Sequence, residues 1–166
     1  MGTTSGPSAI LTETARDGET AAMAEEARRE RAVLVVEADE PERERIGSWL
    51  EGSGFRVLSC PGPTEPDYTC VGARNGSCSL IAEVDLIVLD MSLDSEAVMT
   101  GTPAEELLGL YLMSGHPVVV LGSRPGEEVR GELRRLHRHP SREELVDALG
   151  ALAEGLREGG VGAAGP

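Results

Sequence analysis

Short apolar runs recur along the chain at Ala32–Val36 (AVLVV), Leu86–Leu89 (LIVL) and Val118–Leu121 (VVVL), with a weaker one at Phe55–Leu58 (FRVL). They are too short for buried helices, rich in β-branched side chains, and lack the alternation of a strand with one wet face. Strands apolar on both faces belong to a parallel sheet covered on both sides. A further strand is expected at Leu133–His137. Between the strands the period changes. Glu42–Glu51 gathers Ile46, Trp49 and Leu50 on one side of a helix. Thr102-Pro103-Ala104-Glu105 is a capping box with Pro at the first helical position, opening EELLGLYLM. Ser141-Arg142-Glu143-Glu144 is a second capping box, ahead of a stripe of Leu145, Leu149, Leu152 and Leu156. This alternation predicts an α/β fold, a doubly wound parallel five-stranded sheet with helices on both faces.

At 166 residues the chain suits one domain. Residues 1–30, first Gly/Ser/Thr-rich and then polar all round, read as a flexible N-terminal tail, and 157–166 as a flexible C-terminal one. The domain is expected at 31–156. No apolar run approaches the ~20 residues of a membrane span, and the N-terminus lacks a secretory pattern, so a cytoplasmic protein is expected. Lys and Arg number 15 against 29 Asp and Glu, a net charge of −14, and all 15 cations are Arg. The acidity argues against nucleic acid or an anionic membrane as partner. The lack of Lys excludes a Schiff base and a Walker-type phosphate loop. No nucleophile–base arrangement suggests a hydrolase, and no enzymatic turnover is expected.

In an open parallel sheet, ligands sit beyond the carboxyl ends of the strands. Strand one runs into Glu37-Ala38-Asp39, strand three ends at Asp90 with Met91-Ser92-Leu93-Asp94 after it, and strand four leads to Gly122-Ser123-Arg124. With a strand order of 2-1-3-4-5, Glu37 and Asp90 converge at one edge. Neighbouring carboxylates repel unless a cation or a proton lies between them. Mg²⁺ is the natural cation, held by one or two carboxylates plus waters. Asp39, with Pro41 close behind it, fits equally the N-cap of the next helix.

These segments resemble the response-regulator receiver domain over roughly residues 31–156. Val33–Val57 (VLVVEADEPERERIGSWLEGSGFRV) is similar to the family's first strand, acidic pair, first helix and start of strand two. Val84–Leu93 (VDLIVLDMSL) is similar to the strand that ends in the phosphoacceptor, His116–Ser123 (HPVVVLGS) to the fourth strand, and His139–Leu145 (HPSREEL) to the start of the last helix. The resemblance implies the flavodoxin-like sheet order 2-1-3-4-5 and a stand-alone phosphorelay protein. In that reading Asp90 accepts a phosphoryl group from a histidine kinase, and the protein acts by binding a signalling partner.

Carried over residue by residue, Glu37 matches the first metal-binding acid, Asp90 the phosphoacceptor, and Ser92 the carbonyl donor to Mg²⁺. The second acid falls on Ala38, with Asp39 one place on. The hydroxyl position after strand four falls on Gly122, with Ser123 one place on. The family's lysine has no counterpart; Arg138 or His139 occupies its region, before Pro140, and Asp94 stands where the family has Pro. Mg²⁺ is therefore expected at a weakened site of Glu37, Asp39, Asp90 and Ser92, with Ser123 and Arg138 as stand-ins around the phosphoryl group. The same departures fit an alternative: a pseudo-receiver that binds partners without phosphorylation.

Residues 59–84 form an insert longer than the family's connection, broken by Pro61, Pro63, Pro66, Gly62, Gly72 and Gly76, so no regular element is expected there. It holds all three cysteines, Cys60, Cys70 and Cys78, with nine and seven residues between them. No CxxC pair occurs, so neither a zinc ribbon nor a common iron–sulfur pattern is present. The cysteines read as apolar plugs, as a reversible disulfide pair with a third thiol, or as metal ligands joined by a histidine such as His116, so a thiol-based redox or metal sensor stands as another alternative. The charges of Glu42–Arg45 read as a solvated helix face. Leu107, Leu108, Leu110, Leu112 and Met113 surround their helix, which points to burial or to a homodimer contact.

Overall fold

A computed structural model describes residues 31–63, 70–94, 104–122 and 131–159. The expected N-terminal tail at 1–30, residues 160–166 of the expected C-terminal tail at 157–166, Ser123, and the capping residues Thr102 and Pro103 lie outside them; residues 157–159 of that expected tail belong instead to the last helix. The elements follow the order β1 (Ala32–Val36), α1 (Glu40–Glu51), β2 (Arg56–Cys60), α2 (Val71–Asn75), a 3₁₀ turn (Ile81–Glu83), β3 (Leu86–Asp90), a 3₁₀ turn (Met91–Asp94), α3 (Ala104–Met113), β4 (Val118–Leu121), β5 (Leu133–Leu136) and α4 (Arg142–Gly159). The five strands are all parallel, in the order β2-β1-β3-β4-β5. This is the predicted doubly wound sheet. The insert departs from expectation: Val71–Asn75 forms one helical turn, ended by Gly76 in the left-handed conformation at φ 68°.

β1, β3 and β4 are buried at every position, which explains why their sequences show no alternation. Their side chains divide between two cores. On one face Val33, Val35, Leu86, Val88, Val119 and Leu121 pack under Ile46 and Leu50 of α1 and Leu145, Leu149 and Leu152 of α4. On the other, Leu34, Val36, Ile87, Leu89, Val118 and Val120 pack under Leu107 and Tyr111 of α3 and Ile81 and Val84 of the insert. The helix ends explain where the helices sit. Asp39 Oδ1 accepts the Glu42 N–H at 2.9 Å and starts α1. The second capping box closes reciprocally: Glu144 N–H donates to Ser141 Oγ at 3.2 Å, and Ser141 N–H to Glu144 Oε2 at 2.8 Å. Those bonds hold the Glu144 carboxyl below its ordinary pKa. Arg142 then ties α4 to the end of α1 through Gly52 O and Ser53 Oγ.

Leu149 is 0% exposed whereas Met113, at the end of α3, is 90% exposed. Leu149→Ala is expected to cost about 2–5 kcal/mol of unfolding free energy through lost burial and a residual cavity. Met113→Ala should stay within about 0.5 kcal/mol. Urea unfolding of both variants checks the contrast; equal losses would contradict this packing.

Candidate functional site

The register of β1 against β3 pairs Val36 with Leu89. One step further along both strands stand Glu37 and Asp90. Alternation along a strand puts residues two apart on one face, so Glu37 follows Val33 and Val35, and Asp90 follows Leu86 and Val88, toward the α1/α4 side. Both side chains are buried, Glu37 at 4% exposure and Asp90 at 1%. They are the described residues that combine charge with full burial, and they lie within hydrogen-bonding reach of each other.

Two buried carboxylates in contact are relieved by a proton. Burial pushes the Glu37 carboxyl from its ordinary 4.5 up to about 7; the Asp39 N–H, donated to Glu37 Oε1 at 2.9 Å, opposes the shift, and the Asp90 carboxylate reinforces it. Asp90 has partners of its own. Ser92 N–H donates to Asp90 Oδ1 at 3.0 Å, and the Ser92 hydroxyl donates to Asp90 Oδ2. Above the pair opens a cleft of about 240 Å³ lined by Glu37, Asp39, Glu42, Arg138 and His139. Asp90 is not among the lining residues.

The remaining candidates are placed as follows. Asp39 is turned to its own helix, as an N-cap. Arg138 lines the cleft. His139 is 66% exposed and lies 3.7 Å from Glu42 Oε1. Gly122 has φ 95°; a Cβ there would lie 3.6 Å from Asp90 Oδ1. There is room for a side chain, but the left-handed backbone disfavours any residue with one, so this conformation does not suit a hydroxyl residue at that place. Arg43, read as part of a solvated face, instead donates to Glu37 O at 2.7 Å and Ala38 O at 3.3 Å and clamps the turn that leaves β1. Its place one turn into the helix after a strand end is the signal that could have identified it. His116 does not join the cysteines: its ring bonds Val84 O at 3.1 Å and Ser114 Oγ at 3.0 Å.

The donor chemistry decides whether Mg²⁺ suits these residues. The ion demands an octahedron of oxygens, with charged carboxylates among them. Glu37 shares its proton near neutral pH, the Asp39 oxygen caps α1, and both Asp90 oxygens accept from Ser92. Among the described residues no group of three or more His, Cys, Asp or Glu is placed to hold a metal ion. Glu37 and Asp90 are the two buried carboxyls that would hold Mg²⁺, with waters completing its octahedron, while Asp39 is engaged as the cap of α1.

Several solved structures similar to this chain are response-regulator receiver domains. The N-terminal domain of a response regulator/sensory box/GGDEF protein from Carboxydothermus hydrogenoformans is 19% identical, with TM-score 0.54, over 79% of this chain and 99% of that one. A receiver domain protein from Bacillus halodurans is 18% identical, with TM-score 0.54, over 74% and 96%. One from Clostridium thermocellum is 17% identical, with TM-score 0.53, over 77% and 98%. No family model matches the sequence, and no curated protein is significantly similar to it. At these identities the likeness shows the fold: this chain has the fold of a response-regulator receiver domain.

The protonated Glu37 makes stability depend on pH. The folded state holds this proton up to about pH 7, the unfolded chain only to its ordinary 4.5. Between those values the native state binds more protons, so Glu37's contribution is full below about pH 4.5, falls as pH rises toward 7, and levels off above. Glu37→Gln should abolish that decline and raise stability at pH 8 by about 1–3 kcal/mol. Urea unfolding from pH 4 to 8 checks it; an unchanged slope in the variant would contradict the shared proton.

Proposed function

We propose that this protein is a receiver-fold signalling module that works by binding a partner without taking up a phosphoryl group. The observation that carries the reading is the state of Asp90, 1% exposed, with both oxygens engaged by Ser92. A phosphoacceptor must offer a charged oxygen to a donor phosphate, and it needs cations to offset the charge that develops there. Here the neighbouring cation-binding acid is replaced by Ala38, the lysine is absent from the whole chain, and the Glu37 carboxyl lies against Asp90. The shared proton supplies neutralisation that metal and phosphoryl chemistry would otherwise provide. The work left to such a domain is binding, not turnover.

A second reading keeps the phosphorelay: Asp90 accepts phosphate from a histidine kinase. It is favoured by Arg138, whose guanidinium lines the cleft beside Glu37. Arg is an imperfect replacement for Lys here, because its planar fork differs from a compact ammonium. One experiment separates the readings. After incubation with acetyl phosphate and Mg²⁺, intact mass should show no phosphoryl adduct in the wild type. An adduct that disappears in Asp90→Asn would overturn the proposal and support the phosphorelay.

A further inference from the structure

The insert brings the three cysteines to one place on the sheet face opposite the acid pair. Cys60 ends β2 in register with Val36, Cys70 precedes α2, and Cys78 follows it; all three pack half-buried on the core beneath α3, in the thiol form. Tyr111 of α3 senses the cluster: burial drives its phenol pKa strongly up, and each of the three cysteines adds to the shift.

Within the cluster, one pair is set face to face. Cys70 is the N-cap residue of the single turn Val71–Asn75, and Gly76 at φ 68° reverses the chain behind it. The returning segment carries Cys78 against Gly72 near the start of the turn. A Cβ on Gly72 would stand 2.9 Å from Cys78 Cβ and 3.6 Å from Cys70 Sγ, with Leu110 Cδ2 at 3.4 Å. The first of these distances is closer than real Cβ contacts allow, so Gly72 is required for the approach. One point in contact with both cysteines places the Cys70 sulfur no more than about 6.5 Å from Cys78 Cβ, which makes them neighbours across Gly72. Cys60 is the bystander. Its sulfur accepts the Gly62 N–H at 3.4 Å, and burial pushes its thiol pKa up, which disfavours the reactive thiolate.

We propose that Cys70 and Cys78 form a reversible modification site, oxidised to an intramolecular disulfide by a hydroperoxide while Cys60 stays a thiol. One thiolate attacks the peroxide oxygen, the O–O bond breaks, and a sulfenic acid forms with release of water or an alcohol. The second thiolate displaces hydroxide from that sulfur, the S–S bond forms, and the hydroxide leaves as water. Two S–H protons and two electrons pass in all to the peroxide. The bridge ties a single helical turn, too short to persist by itself, to the core beneath α3.

The test uses the full chain. Reduced protein is treated with hydrogen peroxide, alkylated with iodoacetamide and weighed intact, then digested with trypsin, which cuts after Arg74 between the two cysteines. Oxidised protein should take one alkyl group in place of three, and the peptides on either side of Arg74 should remain joined until dithiothreitol is added. Cys60→Ser should keep the joined peptides, and Cys70→Ser should lose them. Three alkyl groups after oxidation would overturn the proposal, as would joined peptides that survive Cys70→Ser, a disulfide between two chains, or thiols shielded by a co-purifying metal ion. The wild-type and Cys60→Ser arms decide the matter even if Cys70→Ser fails to fold. None of these readouts involves Asp90.

Discussion

The register that pairs Val36 with Leu89 places a carboxyl on each of two adjacent strand tips and turns both toward the same core. Everything at this edge answers that constraint. Charge on both groups at such burial calls for a counter-ion or a proton. Arg43 grips the carbonyls of the β1 turn, Arg138 lines the cleft with Glu37, and the raised Glu37 pKa favours the proton. Ser92 donates to both Asp90 oxygens, and Asp39 serves its helix. The edge is thus assembled from mutually satisfied groups, and among the described residues no buried side-chain nitrogen or oxygen is left without a partner.

The strands were legible because a strand buried on both faces writes itself as an unbroken apolar run. Once β1 and β3 are neighbours, the meeting of Glu37 and Asp90 follows from their places one residue beyond those runs. Asp39 shows the limit of such reading: cap and ligand demand the same residue in the same place, and only the position of the Glu42 N–H separates them. Arg43 was hidden because its role lies in a side chain folding back across the helix start, which a helical wheel does not display. The single turn at Val71–Asn75 was hidden because Gly72 and Gly76 read as breakers. One permits close approach and the other ends the turn. The same two glycines explain why Cys70 and Cys78, with seven residues between them, meet without any ligand-type spacing.

The two faces of the sheet carry different chemistry. The acid pair lies toward α1 and α4, and the thiol cluster lies beneath α3, yet they are joined at the end of β2. There the Glu37 N–H donates to Cys60 O at 3.2 Å, and the turn at Gly62 rests close to Leu93 and Val36. The thiol chemistry proposed for the insert would thus stand apart from the acid pair, on the other face of the sheet.

The central claim is the proton held between two strand ends, and the most direct measurement is a carbon-13 NMR titration of the side-chain carboxyls from pH 3 to 9. Glu37 is expected to titrate near 7, its resonance identified by its loss in Glu37→Gln. A Glu37 carboxyl that titrates near its ordinary 4.5 would contradict it.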